Sequence, residues 1–279
     1  MARHRQGLKE DDIMARKRKG EGQTALITGA SMGIGLELAR CFAEGGYDLV
    51  LTARSAEALD RIAQDFAGKY KVSVAAMPAD LGEIGAGAKL AKALDGRGLK
   101  VDVLVNNAGY GVAGAYGGSD LAAEMGMIDL NIRALAELTH IYWPRMLAAR
   151  RGGVLNVAST AAFQPGPLMA VYYASKAFVL SFSEALWKEA EGTGVHVSCL
   201  CPGPTESNFR ERAGTGKTKL TNLGTPMTSA VVARLGYRGF QKNRRVVVTG
   251  ARNKMLATLA PFLPRATLLG IVHNMQSPA

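Results

Sequence analysis

Cysteine and histidine are scarce in this chain of 279 residues, with three Cys and four His. Cys41, Cys199 and Cys201 give neither a disulfide framework nor metal-site spacing, and His4, His140, His196 and His273 form no ligand cluster. No metal is expected. Cys199 and Cys201 alternate along a β-rich run and read as small buried hydrophobes on one face. Proline is also sparse, 10 residues against 33 Gly, which suits many tight turns rather than a disordered chain. No low-complexity segment is present, and no repeat beyond an alternation of strands and helices.

Acidic residues are the minority, 23 against 34 Lys and Arg, for a formal net charge of +11. That balance favours anionic partners without locating them. Part of it is local. Arg3, Arg5, Lys9, Arg16, Lys17, Arg18 and Lys19 crowd residues 1–21, read as a basic, flexible, solvated arm with nucleic-acid or anionic-membrane contact as the alternative. Met14 offers a second start. No apolar core follows the basic residues, so a secretory leader is not expected; the reading is cytoplasmic, with peripheral membrane association left open.

With 48% hydrophobic residues, a chain of this length can bury one large core. Residues 22–250 read as that domain. Apolar runs at Thr24–Thr28, Asp48–Ala53, Val72–Met77, Val101–Val105, Val154–Val157, Val195–Leu200 and Arg245–Thr249 predict strands. Helical patterns run between them: Ile34 to about Glu44, Ser55 to Lys69, Ala88 to Leu94, Ala122 to Ala149 and Tyr172 to Glu191. Continuous apolar strands alternating with helices predict an α/β fold, a doubly wound parallel sheet covered on both faces. Its ligand crevice lies beyond the strand C-terminal ends.

Two segments fall outside this pattern. Gly203 to about Thr228 is polar and long for a connection, as lids and binding loops are. Residues 251–279 form an apolar extension broken by Pro261 and Pro264, too short and interrupted to span a bilayer. Packing on the body or on a neighbouring subunit is expected of it; a lipophilic-substrate cover or membrane contact is the alternative.

Gly29, Gly33 and Gly35 are spaced G-x-x-x-G-x-G directly after a strand and before a helix. Such a loop lets backbone N–H groups and the helix dipole meet a pyrophosphate. The second strand ends at Ala53-Arg54, where a carboxylate would bind a free ribose 2′-hydroxyl. Its absence, with a guanidinium beside it, predicts NADP(H) in preference to NAD(H), which stays possible. Tyr172 and Lys176 lie four apart on a predicted helix, so an ammonium beside a phenol is expected to lower its pKa. Ser159 follows the fifth strand at the crevice edge.

Together with Asp80, Asn106-Asn107-Ala108-Gly109, Asn131, Pro144, Met146 and Pro202-Gly203, these pieces resemble the short-chain dehydrogenase/reductase family over about residues 22–250. The resemblance implies a Rossmann-like sheet of about seven strands and carbonyl–alcohol interconversion by hydride transfer. Tyr172 would be the general acid or base, Lys176 its pKa-lowering partner and ribose ligand, Ser159 the hydrogen-bond donor to the substrate oxygen, and Asn131 the anchor of a proton-relay water. Gly29, Ser31, Met32, Gly33, Ile34 and Gly35 would hold the pyrophosphate, Arg54 the 2′-phosphate, and Asp80 and Leu81 the adenine. Asn107, with Ala108 and Gly109, would flank the adenosine-side ribose; Pro202, Gly203, Thr205 and Ser207 would flank the nicotinamide. Met32 departs from the pattern, standing where NADPH-using relatives often carry a basic residue. Tyr173 is a second phenol but lacks the four-residue spacing to Lys176.

The expected substrate is a small carbonyl or alcohol, lipophilic if the apolar tail covers the site, and the expected assembly is a homodimer or homotetramer. A non-catalytic dinucleotide sensor or scaffold on the same fold is the rival. A sugar-nucleotide epimerase is the more distant one, since its G-x-x-G-x-x-G spacing is absent.

Overall fold

A computed structural model of the chain describes residues 18–206 and 226–277. Its centre is a sheet of seven parallel strands in the order β3-β2-β1-β4-β5-β6-β9. These are β1 (Thr24–Thr28), β2 (Asp48–Thr52), β3 (Val74–Ala76), β4 (Val103–Asn106), β5 (Gly153–Val157), β6 (His196–Cys201) and β9 (Val246–Val248). Two short strands, β7 (Thr205–Glu206) and β8 (Met227–Thr228), pair apart from it. Strand order reverses between β1 and β4, and the crevice opens there.

Successive strand residues face opposite sides, and both sides are buried. Ala25, Ile27, Leu49, Leu51, Val103 and Val105 join one core cluster, while Leu26, Val50, Leu104 and Val154 join another. The first is covered by helices α1 (Gly33–Glu44), α2 (Ala56–Tyr70) and α7 (Ser229–Gln241) through Phe42, Phe66 and Phe240. The second is covered by α3 (Ala86–Gly96) and α5 (Leu135–Ala149) through Leu94, Tyr142 and Met146. This two-sided burial is why the strands read as unbroken apolar runs.

Helix α7 was not expected. It buries Ala233, Gly236 and Gly239 beside Val232 and Phe240, and small residues on the packed face hide the apolar period. The helix expected over Ala122–Ala149 is three pieces: α4 (Leu121–Ile128), a π-helical stretch Asp129–Ala134, and α5. The outer strands β3 and β9 are shorter than expected. The apolar extension forms α8 (Ala251–Leu259), a 3₁₀ turn (Ala260–Phe262) and α9 (Arg265–Gln276). It packs on the body by Leu268 and Val272, against Met127, Met169, Tyr172 and Tyr173. Among the described residues no helix is long and apolar enough to cross a membrane.

Candidate active site

The phosphate loop is built by exclusion of side chains. Gly29 and Gly33 take φ of +66° and +58°, in the left-handed region that favours glycine. A Cβ on Gly35 would stand 2.2 Å from the Gly29 carbonyl oxygen, so α1 can start this close to the loop only with glycine there. The loop is held from β4. Asn107 Nδ2 donates to the Thr28 and Gly29 carbonyls at 2.9 and 3.2 Å, and Thr28 Oγ1 accepts the Asn107 and Ala108 amides, both at 2.9 Å. Met32 caps α1 without a side-chain hydrogen bond, and the first turn carries no acid. The helix therefore opens its first N–H groups toward the cleft.

The expected catalytic pair stands on helix α6 (Ala170–Glu189), whose first turns line the crevice. Tyr172 and Lys176 are both buried, with the Lys176 Nζ 5.8 Å from the Tyr172 ring centroid. Lys176 Nζ donates to the Val157 carbonyl at 3.0 Å, and the Ser159 hydroxyl, near the Tyr172 phenol, donates to the Pro202 carbonyl at 3.5 Å. Ser159 is extended, and its Oγ accepts the Ala161 amide at 3.1 Å, which fixes the hydroxyl at the end of β5. The predicted direction of the Tyr172 shift is corrected here. Burial pushes the phenol up to about 12, with only the Ser159 hydroxyl pulling the other way. Burial likewise pulls Lys176 down to about 8, against the nearby Cys199 and Cys201. Desolvation outweighs the ammonium because Lys176 points its charge at a carbonyl rather than at the phenol oxygen.

Asn131 is held on several sides. It sits in the π-helical stretch, fully buried, and its amide donates to the Tyr110 carbonyl (2.9 Å) and to Ser175 Oγ (3.1 Å). Its Oδ1 accepts the Tyr110 amide at 3.1 Å. The side chain thus ties the loop after β4 to α6. A Cβ on Gly109 would lie 2.8 Å from that Oδ1, so the loop's last glycine follows from this packing. The wider π turn rotates Asn131 inward, a feature with no signature in the 3.6-residue period.

A single cleft of about 1860 Å³ is lined by Gly29, Ser31, Met32, Gly33, Ile34 and Gly35, by Arg54, Asp80 and Leu81, and by Asn107, Ala108 and Gly109. Ser159, Tyr172, Lys176, Pro202, Gly203 and Thr205 line it too. Ser207 lies outside the described residues. Arg54 is exposed at the end of β2 and forms no salt bridge among the described residues. Asp80 accepts the Gly82 amide at 2.9 Å, which shapes the turn around Leu81. Asn107 lines the cleft, and its side-chain Nδ2 is held by the phosphate loop. The Tyr173 hydroxyl accepts from Gln276 Nε2 on α9. Gln276 was missed, because a polar residue near the chain end carries no sequence signal for a contact 103 residues away. Among the described residues no cluster could hold a metal ion.

The family model described as short chain dehydrogenase matches residues 23–218. A very-long-chain 3-oxoacyl-CoA reductase from Phaeosphaeria nodorum is 37% identical over 185 residues, 64% of this chain and 54% of that protein. The chain thus spans about half the length of that relative. Among solved structures, a short-chain dehydrogenase from Sphingobium yanoikuyae in complex with NADPH superposes with a TM-score of 0.77 at 31% identity, covering 86% of this chain and 94% of that one. A short-chain dehydrogenase/reductase from Burkholderia phymatum in complex with NAD gives 0.75 at 26%, covering 86% and 93%. With the glycine loop, the buried Tyr–Lys pair and the strand-end serine in one cleft, the chain belongs to the short-chain dehydrogenase family.

Proposed function

We propose that the chain is an NAD(P)(H)-dependent oxidoreductase that reduces a carbonyl to a secondary alcohol and prefers NADPH. The observation that carries this reading is that Ser159, Tyr172 and Lys176 line one wall of the same cleft as the phosphate loop. Two hydroxyls on that wall present donors to one substrate oxygen, and the dinucleotide, when bound, supplies the hydride. Tyr172, held well above neutrality by burial, is protonated at physiological pH, which is the form an acid needs for reduction. Ser159 donates to the oxygen as its charge grows. Lys176 holds a positive charge below its pKa of about 8, steadying the phenolate left after proton transfer and reaching toward ribose hydroxyls. Asn131 ties the loop after β4 to α6 and anchors a relay water beside Lys176.

Gly29 to Gly35 bind the pyrophosphate, Asp80 and Leu81 the adenine, and Pro202 to Thr205 the nicotinamide side. Arg54 pairs with a 2′-phosphate; no carboxylate stands at Ala53 to repel it. The related structures hold NADPH in one case and NAD in another, so the choice rests on Arg54. The outer cleft is walled by Leu256, Leu259, Phe262, Leu263 and Ile271, which supports a lipophilic carbonyl substrate. A cytoplasmic homo-oligomer paired through its long helices completes the reading; Phe178, stacked on Phe182 on α6, remains exposed. A non-catalytic sensor could lose Asn131, Ser159, Tyr172 or Lys176 and keep the fold, yet all four are in place.

The test is NADPH and NADH consumption against aldehydes, ketones and 3-oxoacyl thioesters of increasing chain length. Turnover favouring NADPH and longer apolar chains is expected. Tight dinucleotide binding with no turnover across the panel would move the reading to the sensor.

A further inference from the structure

Helix α8 is inverted relative to an ordinary surface helix. It and the turn after it bury small residues, Ala257 at 8% and Ala260 at 4% exposure, and turn large ones outward: Met255 at 56%, Leu259 at 51% and Phe262 at 81%. An ordinary surface helix does the reverse. Met255, Leu256, Leu259, Phe262 and Leu263 follow one another at steps of one, three, three and one, which keeps them on a single stripe of helical pitch. Leu269 and Ile271 on α9 extend the exposed apolar area.

This stripe is the rim of the cleft. Leu256, Leu259, Phe262, Leu263 and Ile271 are exposed and also line the cavity that ends at Tyr172. A continuous apolar path therefore runs from the outer surface to the catalytic wall. The charge on the segment itself has one sign. Residues 251–279 contain no Asp or Glu, while Lys254 and Arg265 stand on α8 and α9 and are exposed. Paired with a second copy about a two-fold axis, the stripe would set these cations beside their own kind. An anionic lipid surface supplies both the apolar layer and the opposite charge.

We infer that the α8–α9 rim docks on an anionic phospholipid surface, so that a lipophilic carbonyl passes from the bilayer into the cleft without crossing water. The passage of substrate rests on the carbonyl-reductase reading; the docking does not, and it is measured without turnover. The described start of the chain, near Gly20, lies at the opposite end of the molecule. The Gly20 amide donates to the Gly45 carbonyl at 3.0 Å, beside the start of β2, far from the strand ends that form the cleft.

The experiment is sedimentation of the full chain with vesicles of phosphatidylcholine alone and with about one third phosphatidylglycerol. Binding about tenfold or more tighter to the anionic vesicles, weakened by about 0.5 M salt, is expected. Met255→Asp combined with Leu269→Asp should abolish it, because both side chains are on the exposed face. Neither lines the cleft, so reduction of a water-soluble ketone should stay within about twofold. No binding to either vesicle overturns the inference. So does binding that survives the double substitution and disappears when residues 1–17 are removed, which assigns it to the arm. A double substitution that only splits an oligomer in size-exclusion chromatography, with no lipid binding in the parent, makes the rim a self-interface and also overturns it.

Discussion

The two halves of the cleft are built on different principles. The dinucleotide half, from β1, β2 and β4, is specified residue by residue. Gly35 admits no Cβ, Gly29 needs its positive φ, and the Asn107 amide and Thr28 hydroxyl are each bonded to a named backbone atom. The substrate half, from α8 and α9, is a wall of interchangeable apolar side chains tied down at few points, the most specific being Gln276 on Tyr173. Constant chemistry needs fixed atoms, whereas an apolar substrate needs only volume and surface. Substitutions should therefore divide sharply between the two.

Gly35→Ala tests the dinucleotide half most severely. Its Cβ would press on backbone, which has no side chain to swing aside, so dinucleotide binding should be lost in a fluorescence titration. Affinity within about twofold of the parent would contradict the fixed loop. Ser159→Ala removes the donor to the substrate oxygen and should lower kcat about 10²- to 10³-fold while leaving dinucleotide affinity unchanged. A comparable loss in both would make Ser159 structural instead. Arg54→Ala should weaken NADPH about ten- to hundredfold and NADH little, the amount expected for a charged hydrogen-bond partner. Equal weakening of both would remove the basis for cofactor choice.

How much of this was legible follows the same division. The glycine loop, Arg54, Ser159, Tyr172 and Lys176 could be read because their chemistry requires one residue type at one spacing. The sheet could be read because burial on both faces leaves unbroken apolar strands. The π turn at Asn131 could not, since the residues around it keep an ordinary helical composition. Helix α7 packs through glycine and alanine, which carry little periodic signal. The direction of the Tyr172 shift was misread because sequence shows the neighbouring charge but not the burial that outweighs it.

That shift sharpens the comparison through pH. In the proposed mechanism Lys176 must be charged to steady the Tyr172 phenolate, and burial pulls its pKa down to about 8. Reductive kcat/KM should be level below neutrality and fall as pH rises through about 8, while Tyr172, at about 12, stays protonated throughout. A rate still constant at pH 10 would exclude Lys176 from that role. The smallest effect belongs to the substrate half. Gln276→Leu leaves the buried Tyr173 hydroxyl without its donor, a loss of about 1–2 kcal/mol. KM for a bulky ketone should rise several-fold, with a small aldehyde and NADPH affinity unaffected; an equal change for both substrates would mean that α9 does not wall the pocket.

The most direct test of the central claim is Tyr172→Phe, with carbonyl-dependent NADPH oxidation and NADPH affinity measured side by side. The substitution keeps the buried ring and removes the acid. The account predicts that turnover falls by about a thousandfold or more while affinity stays within about twofold. Turnover equal to the parent's would show that Tyr172 is not the proton donor and would contradict the mechanism.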